Sequence, residues 1–199
     1  MNKLLFFIFI SLAVSAQEPL GGPCECCEAI YQNMPANLSW KTQISDKNEL
    51  GEALEVSGII YQKDGRTPAS GVILYVYHTD AQGKYSRGTG EDCATRNGKL
   101  RGWVKTDQAG RYQFTTIRPA AYPNRDTPAH IHPLIKEPNK KEYYIDEYVF
   151  EGDKFLTQKE LSKAENRAGS GVIKLTKNEK GVWIGKRDII LGRNIPNYE

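Results

Sequence analysis

The sequence lacks the marks of several protein classes. Beyond its first sixteen residues it has no long apolar run, and its 27 basic and 24 acidic residues leave a formal net charge of only +3. Because lysines and acids are interspersed along the chain, charge does not build a nucleic-acid-binding face. The chain also has no internal repeat and no low-complexity linker, which argues against a second domain. We therefore predict one domain, with no membrane span and no nucleic-acid partner.

Residues 1–16 have the composition of a secretory signal peptide. One lysine precedes an apolar run over residues 4–10, and a stretch of small residues ends at Ala16. The run is too short to span a bilayer, although a retained anchor is the alternative interpretation. We predict cleavage after Ala16 and a secreted or periplasmic protein.

Cysteines are few and even in number: Cys24, Cys26, Cys27 and Cys93. After an export signal, such a cluster pairs more often than it binds a soft metal. A bridge to Cys93 would tie the N-terminal arm, residues 17–50, to the loop that follows Tyr85. Four cysteines allow three connectivities, and a bridge between the adjacent Cys26 and Cys27 would be strained. The sequence leaves the pairing open.

Short β-rich runs separated by turn signals dominate the chain from residue 51 to residue 199. Their spacing predicts an all-β fold, an antiparallel β-sandwich with one short surface helix beginning after Thr157. The irregular N-terminal arm is expected to lie across the sandwich, with a short helix near residues 27–32. The predicted strands are 56–62, 71–79, 100–106, 112–117, 130–136, 143–150, 172–175 and 182–191.

Histidine is scarce, yet two of the three histidines lie two positions apart, at His130 and His132. In a β-strand, alternation points both imidazoles to the same face, so they can bind one metal. Such a pair alone is often no more than two solvated side chains. Tyr122 just upstream, and Tyr85 after a glycine turn, add phenolate oxygen, which favours a hard trivalent cation such as Fe(III). Four such ligands leave room for water and substrate, as a catalytic metal site requires.

Several motifs occur in one particular order. They are 57–65, 80–85, 106–119, 122–123, 128–132 and 150–153. In that order and spacing the chain resembles the intradiol ring-cleavage dioxygenases, the family of catechol and protocatechuate 3,4-dioxygenases. The resemblance covers most of residues 54–153.

The resemblance implies a cofactor, two substrates and roles for the four candidate ligands. The cofactor is non-haem Fe(III), and a catechol-type aromatic diol is cleaved by O2 to a muconate-type diacid. Tyr85 and His132 correspond to equatorial ligands, and Tyr122 and His130 to axial ones. The diol displaces Tyr122, whose freed oxygen can accept a proton. Homo-oligomers are common in the family, so we expect one here, although no stretch identifies an interface.

Two substitutions and a shortened loop separate the chain from the family pattern. Thr127 stands where the family has an arginine that stabilises negative charge on the substrate, and a neutral hydroxyl cannot replace it. Arg125 and Arg118 are the nearest alternatives, so the candidate catalytic set is Tyr122, Arg125 and Thr127. Glu147 stands in place of a family glutamine, and its carboxylate would repel a bound diol unless it is paired. The loop from residue 122 to residue 130 is also shorter than in well-known members.

Tyr112 and His78 are not assigned as metal ligands. The resemblance places Tyr112 in the sheet, and we interpret His78 as structural or as a support for the ligands. Substrate specificity is expected from residues 75–77, 91–97 and 124–127. The sequence does not identify the diol.

Two other interpretations stay open. Residues 58–65 and 106–114 also occur in secreted β-sandwich binding modules of the carboxypeptidase-regulatory or transthyretin-like type, which need no metal. Residues 122–132 distinguish the two, since such a module has no use for them. The other alternative is a metal-binding member of the family without catechol turnover, as Thr127 suggests.

Overall fold

Residues 18–86, 90 and 92–199 are described by the computed structural model. The predicted signal peptide, residues 1–16, lies outside the described residues. The strands are β1 (Lys41–Gln43), β2 (Ala53–Tyr61), β3 (Ile73–His78), β4 (Arg101–Lys105), β5 (Arg111–Ile117), β6 (His130–Lys136), β7 (Tyr143–Tyr144), β8 (Tyr148–Phe150), β9 (Val172–Ile173), β10 (Thr176–Lys177), β11 (Trp183–Lys186) and β12 (Ile189–Ile190). The helices are a 3-10 helix (Cys27–Tyr31), α1 (Cys93–Arg96) and α2 (Gln158–Leu161). No helix in this described part of the chain is both long and apolar enough to cross a membrane.

The strands form two sheets, which confirms the all-β sandwich. The first has the order β1-β5-β2-β11-β10, with β12 also beside β2, and the second has the order β4-β3-β6-β8-β9, with β7 beside β6. The central pairs β2–β5, β3–β4 and β3–β6 are antiparallel, as predicted. The pairs β1–β5, β2–β11, β2–β12 and β8–β9 are parallel instead. Long connections, unlike tight hairpins, allow a strand to join a sheet in either direction.

The core between the sheets follows from alternation along the central strands. Val56 of β2 and Phe114 of β5 face Leu74 of β3 and Ile131 of β6, and all four are almost completely buried. Full burial of one such side chain contributes about 1.5–3 kcal/mol. Because Ile131 points into this core, its two neighbours in β6 point to the opposite face of the sheet.

The N-terminal arm covers the outer face of the second sheet. Ala29 and Ile30 of the 3-10 helix are buried against Tyr75 and Trp103, and the indole Nε1 of Trp103 donates to the carbonyl of Ile30 at 2.7 Å. The arm also supplies β1. Because β1 belongs to the first sheet and the 3-10 helix packs on the second, the arm lies across the sandwich, as the sequence indicated.

Two disulfides fix the arm. Cys24 pairs with Cys27, and Cys26 pairs with Cys93, with Cα atoms 5.7 and 5.4 Å apart. The second bridge is the expected tie between the arm and the loop after Tyr85.

Element boundaries differ from the sequence prediction in a few places. The predicted strand 143–150 is split into β7 and β8, and the register against β6 shifts by one residue between them. In this break the Asp146 carboxylate accepts hydrogen bonds from the backbone N–H groups of Asn166 and Arg167. Helix α2 begins after Thr157 as predicted but lasts only four residues. Strands β1 and β10 and helix α1 were not predicted.

Candidate metal centre

Strand β6 and two loops carry the four candidate ligands. His130 and His132 lie on β6 on the face away from the core. Tyr85 follows a turn in which the carboxylate of Asp80 accepts from the backbone of Gln82 and Lys84, at 2.9 Å each. Tyr122 lies in the loop between β5 and β6.

The two tyrosine-bearing loops touch at a glycine. Gly83 has a φ of +73°, and a Cβ at this position would lie inside contact distance of the Ala121 carbonyl oxygen. The hydroxyl of Thr79 donates to the Ala120 carbonyl at 2.8 Å and closes the same contact. Only a residue without a side chain allows the loops to approach this closely. The approach brings Tyr85 next to Tyr122.

The donor atoms of all four side chains converge. Tyr122 Oη lies 2.9 Å from Tyr85 Oη, 3.2 Å from His130 Nε2 and 3.4 Å from His132 Nε2. The two Nε2 atoms are 3.0 Å apart. Two ligands at about 2.0–2.1 Å from one ion, with angles of about 90–110° between them, lie about 2.9–3.4 Å apart. The observed distances match this spacing.

Hydrogen bonds behind the imidazoles assign their tautomers. His130 Nδ1 lies 2.7 Å from the Pro128 carbonyl oxygen, and His132 Nδ1 lies 2.8 Å from a carboxylate oxygen of Glu147. Carbonyl and carboxylate oxygens only accept, so each Nδ1 carries the proton. In the neutral rings the two Nε2 lone pairs then face each other, an arrangement that a cation between them stabilises. The residues present therefore fit a metal ion.

Burial sets the proton affinities of these ligands. Burial, followed by the hydrogen bond with Tyr122, raises the pKa of Tyr85 well above its ordinary value, and burial also raises the pKa of Tyr122. Burial, followed by the nearby His132, lowers the pKa of His130. His130 is therefore neutral and able to ligate at pH 7, whereas the two phenols need a strong positive charge nearby in order to ionise.

A second set of donors shares both histidines. Single donor atoms of His130, His132 and Glu147 lie within 4.8 Å of one another, as in a site of two histidines and one carboxylate. These three donor atoms lie within 4.8 Å of one another, whereas Tyr122 Oη and the two Nε2 atoms lie within 3.4 Å of one another. Glu147 is also bonded to Nδ1 of His132, on the side of the ring away from Tyr122. The two tyrosines and two histidines are thus the better ligand set.

A family model described as "Dioxygenase" matches residues 29–187, which contain all four candidate ligands. The chain belongs to the intradiol ring-cleavage dioxygenase family.

Curated relatives and solved structures agree with this membership. The protocatechuate 3,4-dioxygenase beta chain of Burkholderia cepacia is 31% identical over 99 residues, which are 46% of this chain and 42% of that protein. The 6-chlorohydroxyquinol 1,2-dioxygenase of Cupriavidus pinatubonensis is 32% identical over 123 residues, 53% of this chain and 42% of that protein. The chain thus spans less than half the length of these two relatives.

Two solved structures show the same fold. The dioxygenase domain of a dioxygenase and carbohydrate-binding protein fusion from Streptomyces sp. SirexAA-E has a TM-score of 0.58 at 22% identity, covering 79% of this chain and 91% of that one. The intradiol ring-cleavage dioxygenase from Tetranychus urticae has a TM-score of 0.56 at 19% identity, covering 79% and 88%. At these identities the likeness establishes the fold.

Two clefts border the centre in this member of the intradiol family. The first, here the Tyr122 cleft, has a volume of about 770 Å³ and is also lined by Arg118 and Arg125. The second, here the His130 cleft, has a volume of about 410 Å³ and is lined by Thr127 and Glu147 among others. Pockets that bind small molecules have volumes of this order.

The candidate catalytic residues are divided between the clefts. Thr127 is half-buried in the His130 cleft. Arg125 is exposed, and its guanidinium carbon lies 5.9 Å from the centroid of the Tyr122 ring, on the other side. Arg118 forms an ion pair with Glu52 at 3.8 Å. Neither arginine lines the His130 cleft.

His78 and Tyr112 lie apart from the ligand cluster. His78 is buried, with its nitrogens 2.8 Å from the Thr79 carbonyl oxygen and 2.8 Å from the Thr116 hydroxyl. Tyr112 is buried and donates to the Arg187 carbonyl at 2.6 Å.

Sequence reasoning missed two partners of His132. The Tyr77 ring stacks on the His132 ring, with centroids 4.6 Å apart and 16° between the planes, because β3 and β6 place these residues opposite each other. The sequence showed Glu147 only as a carboxylate at the position of a family glutamine. Its pairing with His132 was not readable, since it depends on the register of β8 against β6.

Proposed function

We propose that this protein binds Fe(III) through Tyr85, Tyr122, His130 and His132 and cleaves a catechol-type aromatic diol with O2 to a muconate-type diacid. The observation that carries the proposal is the convergence of two phenol oxygens and two imidazole nitrogens: Tyr122 Oη lies 2.9–3.4 Å from the other three donor atoms, and the two Nε2 atoms lie 3.0 Å apart. Bound Fe(III) would act as a Lewis acid that holds both diol oxygens and makes the ring reactive toward O2.

Tyr122 is the ligand best placed to leave and to accept a proton. It lies on a loop and borders the open Tyr122 cleft, whereas both histidines are fixed in β6. Burial raises the pKa of its phenol, so its free phenolate is a strong base. Its oxygen lies within 3.4 Å of both Nε2 atoms, close to where a diol hydroxyl would bind.

The His130 cleft supplies the surface for the diol ring. Leu156, Leu161 and Val149 give this cleft apolar walls, and the metal ligand His130 lies in the same cleft. Apolar walls with a few convergent polar groups orient a planar ring and exclude water. We infer a single-ring diol as the substrate class.

A metal-binding member without turnover is the second candidate. Within the part of the chain that the structure describes, two cationic side chains line the His130 cleft, and each is already bonded to another group. Lys163 pairs with Glu160 at 2.6 Å, and Arg167 is buried with its guanidinium bonded to the carbonyls of Gly21 and Tyr144. Thr127 offers only a hydroxyl where a developing negative charge would need a cation.

Export and oligomer formation are also part of the proposal. The N-terminal composition and the two disulfides support a secreted or periplasmic location. A homo-oligomer is proposed on family grounds, without an identified interface.

Oxygen uptake by the iron-loaded protein, measured against a panel of single-ring diols with product analysis, separates the two candidates. Consumption of one O2 per diol, with a ring-opened diacid as product, is the expected result. Retained iron without O2 consumption on any diol would favour the second candidate.

A further inference from the structure

Glu147 lies directly behind one of the proposed ligands. It follows β7 and precedes β8, and its Oε1 is 2.8 Å from His132 Nδ1. Its backbone is held in place, because a Cβ on Gly171 would collide with the Glu147 carbonyl and because Val149 N donates to the Gly171 carbonyl at 3.0 Å. The carboxylate is therefore presented to the ring by a fixed segment of chain.

The contact is a charge-assisted hydrogen bond with a defined direction. A carboxylate only accepts, so Nδ1 of His132 keeps its proton and Nε2 is free to bind a cation. A carboxylate behind a ligating imidazole also raises the electron-donating strength of that imidazole. Stacking on Tyr77 already restrains the tilt of the ring, which leaves the tautomer and the added charge as the distinct contributions of Glu147.

We propose that Glu147 is a positioning residue that fixes the ligating nitrogen of His132 and, through its negative charge, strengthens the hold of the centre on Fe(III) relative to Fe(II). This inference rests on the proposed function. The hydrogen bond from His132 also pairs the Glu147 carboxylate, so the charge of this carboxylate does not repel a bound diol.

Two substitutions separate the hydrogen bond from the charge. Glu147→Gln keeps an oxygen that can accept from Nδ1 but removes the charge, and Glu147→Ala removes both. Glu165→Gln is the matched control, because Glu165 lines the same cleft and its loss changes the net charge equally without touching His132. Thermal unfolding of all three variants checks that they fold.

The readouts are ferric ion affinity, the phenolate-to-iron absorption band and the Fe(III)/Fe(II) potential, none of which requires turnover. Glu147→Ala is expected to lower ferric affinity by about 10–100-fold, and Glu147→Gln by less. In Glu147→Gln the iron becomes electron-poorer, so the band moves to longer wavelength and the potential becomes more positive. Glu165→Gln should match the wild-type protein in all three.

Three results would overturn the inference. Glu147→Gln and Glu147→Ala that both match the wild-type protein would show that the carboxylate does not act on the centre. Equal shifts in Glu147→Gln and Glu165→Gln would show that only the general charge of the cleft matters. Wild-type protein that takes up no ferric ion would overturn the proposed function together with this inference, so the two failures are distinguishable.

Discussion

At the scale of single residues, the four proposed donor atoms of the centre contact one another. Two imidazole Nε2 atoms lie 3.0 Å apart and two phenol oxygens 2.9 Å apart. Burial disfavours ionisation of both phenols, so folding alone does not provide the anionic ligands. The proposed metal supplies the charge that makes this cluster favourable.

Tyr85→Phe and His132→Ala are each expected to abolish stable retention of ferric ion. Each removes a proposed ligand outright, so the loss should exceed the factor of about 10–100 typical of a lost supporting residue. Iron content after gel filtration is the measurement. Tyr31→Phe is the control, because the Tyr31 hydroxyl donates to Glu142 outside the centre. Iron retained equally by all the variants would contradict the ligand assignment.

Thr127→Arg is expected to raise the rate of diol cleavage several-fold if the His130 cleft is the substrate site. Thr127 lines that cleft beside His130, so a guanidinium there can approach the developing negative charge. Initial rates of O2 uptake on simple catechols measure the effect. An unchanged or lower rate would indicate that another group or another substrate is used.

At the scale of structural elements, the site depends on how loops approach the sheet edge. Gly83 allows the Tyr85 loop to meet the Tyr122 loop, and the pairing of β3 with β6 places Tyr77 against His132. His78 of β3 also connects the two sheets through its contact with Thr116 of β5.

Gly83→Ala is expected to lower both stability and ferric affinity. The added Cβ would collide with the Ala121 carbonyl and would also occupy a positive-φ conformation. Gly152→Ala is the matched control, because Gly152 has a φ of +81° with nothing within 4 Å of the added atom. Only Gly83→Ala should lose iron. Equal iron retention by both variants would show that the loop contact does not position Tyr85.

His78 gives the fold a specific acid sensitivity. Burial lowers the pKa of His78 from 6.5 to about 4, so the folded state binds its proton less readily than the unfolded state does. The contribution of His78 to the free energy of unfolding is fully present above pH 6.5. It is lost as the pH falls toward 4, by about 3 kcal/mol at most. Free energies of unfolding at several pH values, for the wild-type protein and His78→Gln, measure the effect. Parallel curves for the two proteins would contradict it.

At the scale of the whole molecule, an N-terminal arm is fixed over a two-sheet sandwich. The bridge between Cys26 and Cys93 spans 67 residues, and the bridge between Cys24 and Cys27 spans only three. In the loop-entropy account, the long bridge stabilises the fold by about 4 kcal/mol and the short one by about 2 kcal/mol.

The double variant Cys26→Ser/Cys93→Ser should therefore lose more stability than Cys24→Ser/Cys27→Ser. Denaturant unfolding of both proteins is the measurement. A smaller loss for the long bridge would mean that native-state contacts, and not chain entropy, dominate.

The sequence predicted the parts of the molecule that short-range patterns encode. Alternation and motif spacing were enough to predict β6, the placement of its two histidines on one face and the β-sandwich. The parallel pairing of β1 with β5, and the break between β7 and β8, depend on contacts between residues far apart in the chain. The pairing of Glu147 with His132 is of the same kind, so sequence alone showed the charge without its partner.

The visible absorption and resonance Raman spectrum of the full chain, titrated with ferric ion, tests the central claim most directly. We expect one iron per chain and a phenolate-to-Fe(III) band with tyrosinate vibrations, both lost in Tyr85→Phe. A colourless protein, or bound iron without tyrosinate vibrations, would contradict the assignment of this centre.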